Sequence, residues 1–187
     1  MDRELLSLEK NMVLIDQQKN DLESNILNVK DLQDQLTRQK KILAESIAIK
    51  DELVEIQDKV NKEKGNISAE ECEEYKKLIT SKIIIVLSER SLVFMGLPQE
   101  ILNDDLHDQV LYLVCVALGE TEKLIKDLNN NVAVFELGLA DKKHQLEIQK
   151  LKVLKLISDG SFLLKQFTQK MNNWVNEVRA AIDRPIQ

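Results

Sequence analysis

The chain is poor in the residues that make turns, sheets and reactive centres. Of 187 residues only five are Gly and two are Pro, which leaves little material for tight turns or sheet edges. Aromatics are 4% of the sequence, too few for a base-stacking platform. The two histidines, His107 and His144, are remote from each other, and neither has a His or Cys at ligand spacing, so no zinc or other metal site is expected. No glycine-rich loop could cradle a phosphate, and Ser88 and Ser91 lack the strained turn of a nucleophile elbow. No catalytic residue, cofactor or enzymatic activity is therefore expected. The longest apolar runs, Ile83 to Leu87 and Leu111 to Leu118, fall far short of the roughly 20 residues that cross a bilayer. The opening Met1-Asp2-Arg3-Glu4-Leu5 is charged where a secretory signal would turn apolar. Cys72 and Cys115 lie well apart on apolar helical faces and read as reduced packing residues of a cytosolic or nuclear protein.

What remains is charge and aliphatic carbon. Charged residues make up 31% and the apolar 43% is mostly Leu, Ile and Val, a composition that implies an all-α, coiled-coil-forming chain. The formal charge of −6 argues against a phosphate backbone or an anionic membrane as the main partner.

From Leu5 to Val60 one heptad frame runs unbroken, without Gly or Pro. Its a positions are Leu5, Met12, Lys19, Ile26, Gln33, Lys40, Ile47 and Val54; its d positions are Leu8, Ile15, Leu22, Val29, Leu36, Leu43, Lys50 and Gln57. Eleven of these sixteen are apolar, against twelve of the other forty residues in the window, so the helix has one preferred buried stripe. At 1.5 Å per residue such a helix is about 85 Å long, too long to be buried in one compact domain, and its stripe has to meet another long helix. Lys19, Gln33, Lys40 and Lys50 either select a complementary partner over a self-paired core or simply snorkel at an imperfect interface. Past Lys50 the apolar rhythm moves one position, to Ile49, Leu53, Ile56 and Val60, as it does where a helix changes partner or twist.

Three segments follow from the breaks, 1–64, 65–97 and 98–187. Lys64-Gly65-Asn66 reads as a helix stop, and Ser68-Ala69-Glu70-Glu71 as a capping box opening a helix through Tyr75, Ile79, Ile83 and Val86. Its run Ile83 to Leu87 is apolar all round, which implies cover on more than one side; a buried strand is the competing reading, weakened by the charged helical flanks. Gly96-Leu97-Pro98 is the sharpest break. A short helix or turn comes next, and Asn103-Asp104-Asp105 offers another cap. From Leu106, the set Val110, Leu113, Val114, Ala117, Leu118, Leu124, Ile125 and Leu128 forms a wide stripe suited to a bundle. Asn129-Asn130-Asn131 reads as a turn, after which Val132, Phe135, Leu139, Leu146, Val153 and Leu156 carry the period on, with Lys142 and Gln149 between. Ser158-Asp159-Gly160-Ser161 is either a loop or a weak turn within one helix. The period favours continuity through Ile157, Leu164, Met171 and Val178, with Phe167 and Trp174 beside them, to an end at Arg184-Pro185.

Several features imitate chemistry. Glu70, Glu71, Glu73 and Glu74 open a helix, where carboxylates suit the dipole and face water. Lys142, Lys143, His144, Lys150, Lys152 and Lys155 could face an acidic partner such as a nucleic acid or the tubulin surface, but they read better as an exposed helix face. Trp174, the only tryptophan, is placed on the buried side of the last helix, as a core residue or as an anchor for a partner.

The order of these elements, with Leu97-Pro98-Gln99-Glu100 ahead of the apolar helix, the stretch through Leu113, Glu122 and Leu128, and Asn173-Trp174-Val175-Asn176-Glu177-Val178 near the end, resembles the small second subunit of the augmin complex, called dim gamma-tubulin four in flies. The resemblance covers about half of the chain; Gly138 and Gly160 within the terminal helix depart from it. It implies an all-helical hetero-oligomer that binds the side of an existing microtubule and recruits the gamma-tubulin ring complex to nucleate branches, in the cytoplasm and cytoskeleton, at the spindle and its poles. This chain would be a scaffold member of it.

The expectation is thus an elongated, all-α, hetero-oligomeric subunit: a long amino-terminal coiled-coil helix followed by a bundle of long helices, with no nucleic acid or membrane partner. Its partner seam would comprise Leu5, Leu8, Met12, Ile15, Leu22, Ile26, Val29, Leu36, Leu43 and Ile47, and towards the end Phe167, Met171, Trp174 and Val178. The competing readings are a kinetochore or vesicle-tethering subunit, and a homodimeric adaptor whose face around Leu106 to Leu128 receives a peptide helix.

Overall fold

The computed structural model describes residues 2–63 and 65–184. Lys64 and Pro185, on which the expected stops rest in part, lie outside the described residues. Every regular element among the described residues is helical: α1 (Asp2–Lys62), α2 (Ala69–Glu89), the single-turn α3 (Gln99–Leu102) and α4 (Leu106–Ile182). No helix of the described residues is long and apolar enough to cross a membrane.

The chain forms two compact units, one of residues 1–33 with 138–187 and one of residues 34–137. They cut across the three sequence segments because α1 and α4 each contribute to both.

The unit of residues 34–137 contains the apolar core. The shifted quartet Ile49, Leu53, Ile56 and Val60 of α1 is buried there with Cys72, Ile79, Ile83 and Val86 of α2 and Val110, Leu113, Val114 and Ala117 of α4. The stripe moves and does not widen: Ile47 and Val54 of the earlier frame are exposed, and the shifted quartet turns toward the two helices that α1 faces here. Buried hydroxyls bond within their own helix, Thr121 to the Ala117 carbonyl at 2.6 Å and Ser46 to the Ile42 carbonyl at 2.8 Å, so neither needs a partner from across the core. Gln109, buried at the start of α4, donates to the carbonyls of Leu102 (3.2 Å) and Asp104 (2.9 Å) and accepts from Lys76 of α2 (2.8 Å).

The helix ends follow local chemistry. Ser68 caps α2, its hydroxyl accepting the Glu71 amide at 3.2 Å. Asp105 does the same for α4, its carboxylate accepting the Asp108 amide at 2.8 Å. Gly65 takes φ +92 after α1, the left-handed conformation its sequence position suggested. The end of α2 falls earlier than the Gly96 break. Arg90 is the cap residue; Ser91 takes φ 58, its amide bonds the Ser88 carbonyl at 3.0 Å, and the Leu92 amide reaches the Leu87 carbonyl at 2.7 Å. Both bonds of a Schellman closure form, with serine at the position glycine normally fills.

The turn read at Asn129-Asn130-Asn131 is absent, and the continuity favoured at Ser158 to Ser161 is what forms. Asn129-Asn130-Asn131 and Ser158 to Ser161 lie inside α4, and Gly138 and Gly160 do not interrupt it. Asparagine and glycine lower helix propensity by less than about 1 kcal/mol each, which packing along the rest of the helix offsets. The run Ile83 to Leu87 is helical, but Ile84 and Ile85 face outward, so α2 is covered on one side only.

A left-handed L-residue costs about 1–2 kcal/mol relative to glycine. Ser91→Gly is therefore expected to stabilise the fold by about 1 kcal/mol, read as a raised urea midpoint with unchanged m-value. An unchanged or lower midpoint would show that Ser91 is not strained.

Candidate partner interface

In the unit of residues 1–33 and 138–187, α1 and α4 run antiparallel, since rising numbers on one meet falling numbers on the other. Glu4 pairs with Lys170, Asn11 Nδ2 donates to the Leu156 carbonyl at 3.1 Å, and Asn25 Nδ2 donates to Gln149 Oε1 at 2.7 Å. These α1 residues are not on the expected seam. Glu4, Asn11, Gln18 and Asn25 recur every seven residues at position g, and α4 packs against g and d instead of a and d.

The consequences divide the expected seam in two. Leu8, Ile15, Leu22 and Val29, all at d, are half-buried, as are Leu43 and Phe167, and Leu36 is buried. Leu5, Met12, Ile26 and Ile47, all at a, are exposed, and so are Met171, Trp174 and Val178. Trp174 is 53% exposed, which corrects its placement on a buried side. The frame on α4 explains Met171 and Val178: Leu139, Leu146, Val153, Gly160 and Phe167 continue one contact position, and Gln149, Leu156 and Leu163 the other, so Ile157, Leu164, Met171 and Val178 fall one residue outside it, whereas Trp174 keeps the contact position but lies one turn past Lys170, the partner of Glu4.

Gly160 is buried because Asn11 lies against it. A Cβ there would overlap the Asn11 side-chain oxygen and lie 3.7 Å from Ile15 Cδ1, whereas nothing lies within 4 Å of a Cβ at Gly138. Asn11 itself is only 8% exposed, and its Oδ1 has no donor within reach among the described residues. A buried amide facing a glycine notch fits one alignment of the two helices; one heptad away, Asn11 would meet Val153 or Phe167.

Counting apolar residues could not find this contact, because position g is polar from Glu4 to Asn25. The available signal was the set of amides Asn11, Gln18 and Asn25 at seven-residue spacing, together with a glycine at a core position of α4.

The other candidates resolve differently. In the unit of residues 34–137, Lys40 pairs with Glu136 at 2.8 Å and Lys50 with Glu122 at 3.8 Å, so both seam lysines have acidic partners within the chain. The face from Leu106 to Leu128 is filled by α1 and α2, which leaves no room on it for a peptide helix. Cys72 is buried and its thiol is pushed up by that burial. Cys115 is exposed, contrary to its reading as a packing residue, because it falls just off the line of Val110, Val114 and Ala117. Glu70, Glu71, Glu73 and Glu74 are exposed in the first turns of α2, and Lys142, Lys143, His144, Lys152 and Lys155 are exposed on α4. Asp105, His107 and Asp108 come close enough together to hold a cation, a grouping the spacing argument missed. Their polar atoms already serve the helix start: Asp105 caps α4, and His107 Nε2 is 3.1 Å from the Val60 carbonyl.

Compared with protein-family models, curated proteins and solved structures, the chain matches none. The geometry describes an all-helical protein.

Two measurements check the α1 to α4 contact. Gly138→Ala is expected to stabilise by about 0.5–1 kcal/mol, as in any open helical site. Gly160→Ala should lose that gain to overlap and destabilise by about 1 kcal/mol, with Asn11→Ala in the same chain restoring it. Equal effects at the two glycines would exclude the notch. Second, Lys170 holds the Glu4 carboxyl well below its ordinary 4.5, at about 2. Because the folded value is depressed, its contribution is complete above pH 4.5 and fades as pH falls toward 2. The stability difference between the native chain and Glu4→Gln should therefore be constant at neutral pH and vanish across that window; a difference independent of pH would show the pair contributes nothing.

Proposed function

We propose that this chain is a non-catalytic structural subunit of a hetero-oligomeric coiled-coil assembly. The observation that carries the reading is that the helices of the unit of residues 1–33 and 138–187 bury one stripe against each other and keep a second apolar face outside. On α1 that face holds Leu5, Leu6, Met12 and Val13; on α4 it holds Leu164, Met171, Trp174 and Val178. Soluble chains seldom leave contiguous apolar surface of this kind without a partner. Helices apolar on more than one side are at home in bundles of more than two.

Within that class the reading is an augmin-like subunit, supported by the order of elements and by Leu97-Pro98-Gln99-Glu100 and Asn173 to Val178. Its role would be to scaffold partners that recruit the gamma-tubulin ring complex to existing microtubules in the spindle, acting in the cytoplasm and cytoskeleton and at spindle poles. The net charge of −6 suits a scaffold member better than a direct contact with the acidic microtubule lattice.

The test is a tagged pull-down from native cells, cross-linked before mass spectrometry. A stoichiometric set of helical partners together with gamma-tubulin, cross-linked along residues 5–60, is expected. Kinetochore or tethering subunits in their place would overturn the augmin-like reading and keep the scaffold class. Recovery of the chain alone as a folded dimer would overturn both.

A further inference from the structure

On α4, Ile157, Leu164, Met171 and Val178 recur every seven residues on a face that α1 does not cover, each at least 38% exposed. Between them, at alternating spacings of four and three, fall Ser161, Thr168, Val175 and Ile182, so the eight positions make an unbroken heptad seam. Its two polar members are already satisfied: Ser161 donates to the Ile157 carbonyl at 3.0 Å and Thr168 to the Leu164 carbonyl at 2.9 Å. Covering this seam would leave neither hydroxyl without an acceptor.

Charge indicates what covers it. In helical projection the positions bordering the seam hold Lys165 and Arg179 as their only charged residues. More broadly, residues 138–187 carry nine basic and five acidic side chains. The chain itself shows what fits this helix: the segment it lays on the opposite stripe, residues 1–33, carries seven acidic and four basic side chains, and Glu4 of that segment pairs with Lys170. We infer that the 157–182 face of α4 docks an amphipathic helix with acidic flanks, supplied by a different chain.

A second copy fits less well. It would bring either α4 with the same basic border, or the outer face of α1, whose flanking Glu9, Asp16 and Glu23 suit the border but whose apolar a positions are broken by Lys19 and Gln33. This inference rests on the proposed role as a hetero-oligomeric subunit and specifies the partner's chemistry.

Trp174, the only tryptophan, borders the seam and is half exposed, so it reports docking directly. The full chain would be titrated with a synthetic four-heptad helix carrying leucine at its core positions and glutamate on its flanks, and with the same helix carrying lysine on its flanks. The glutamate helix should shift Trp174 emission to the blue, with Kd about tenfold or more tighter than the lysine helix. Lys165→Glu with Arg179→Glu should invert that order. Leu164→Asp should abolish the shift without loss of helical content, since the residue is exposed. No shift with either helix, or equal affinity for both, would overturn the inference. So would emission that is already blue and follows a dimerisation seen by sedimentation, because a second copy would then occupy the face. Native cross-links to partners elsewhere on the chain, with none on 157–182, would sink this inference alone and leave the subunit role standing.

Discussion

Nothing between Leu106 and Ile182 forces a turn, so α4 remains one helix of 77 residues, and such a helix has far more surface to cover than a short connecting chain can supply. The other helices can be understood as answers to that requirement. In residues 34–137 the requirement is met: α1 and α2 close over Val110, Leu113, Val114 and Ala117, and the buried hydroxyls turn back onto their own helices. In residues 1–33 and 138–187 it is met on one side only, because among the described residues α1 is the sole other helix of that unit.

This imbalance links packing to function. The three-helix unit buries its apolar stripes in a filled core, whereas the two-helix unit keeps apolar outer faces exposed. In the proposed role the apolar residues at a on α1 and the seam from Ile157 to Ile182 on α4 are the partner surfaces, and the Asn11 and Gly160 contact holds the two helices in a defined alignment. A slip of one heptad between α1 and α4 would leave Asn11 buried against Val153 or Phe167, so the amide gives specificity even where it adds little stability.

The stripe on α1 was only partly legible. Its existence, its period and its shift at Ile49 to Val60 were readable, because burial of carbon leaves a periodic trace. Which edge of the stripe meets α4 was not, since the deciding position g holds Glu4, Asn11, Gln18 and Asn25, which look like a solvated face until the bonds of Glu4, Asn11 and Asn25 to α4 are seen. Trp174 was misplaced for a different reason: it continues the contact position of Gly160 and Phe167, but it lies one turn beyond Lys170, the partner of Glu4 in the first turn of α1. The close of α2 at Ser91 was hidden because serine carries no signal for a left-handed conformation.

The sequence by itself determined that the chain is helical and where its cap at Ser68, a second cap within Asn103 to Asp105, and its break before Pro98 fall. These depend on propensity, capping and period, which act within a few residues of each other. Only the tertiary structure decided that α4 continues through Asn129 to Asn131 and through Gly160, that α1 meets α4 with its d and g positions, and that Ile157, Leu164, Met171 and Val178 are left outside. Those outcomes depend on which surface reaches which other surface across the chain, and a weak helical residue or a polar contact position acquires its role only when the opposite helix is in place.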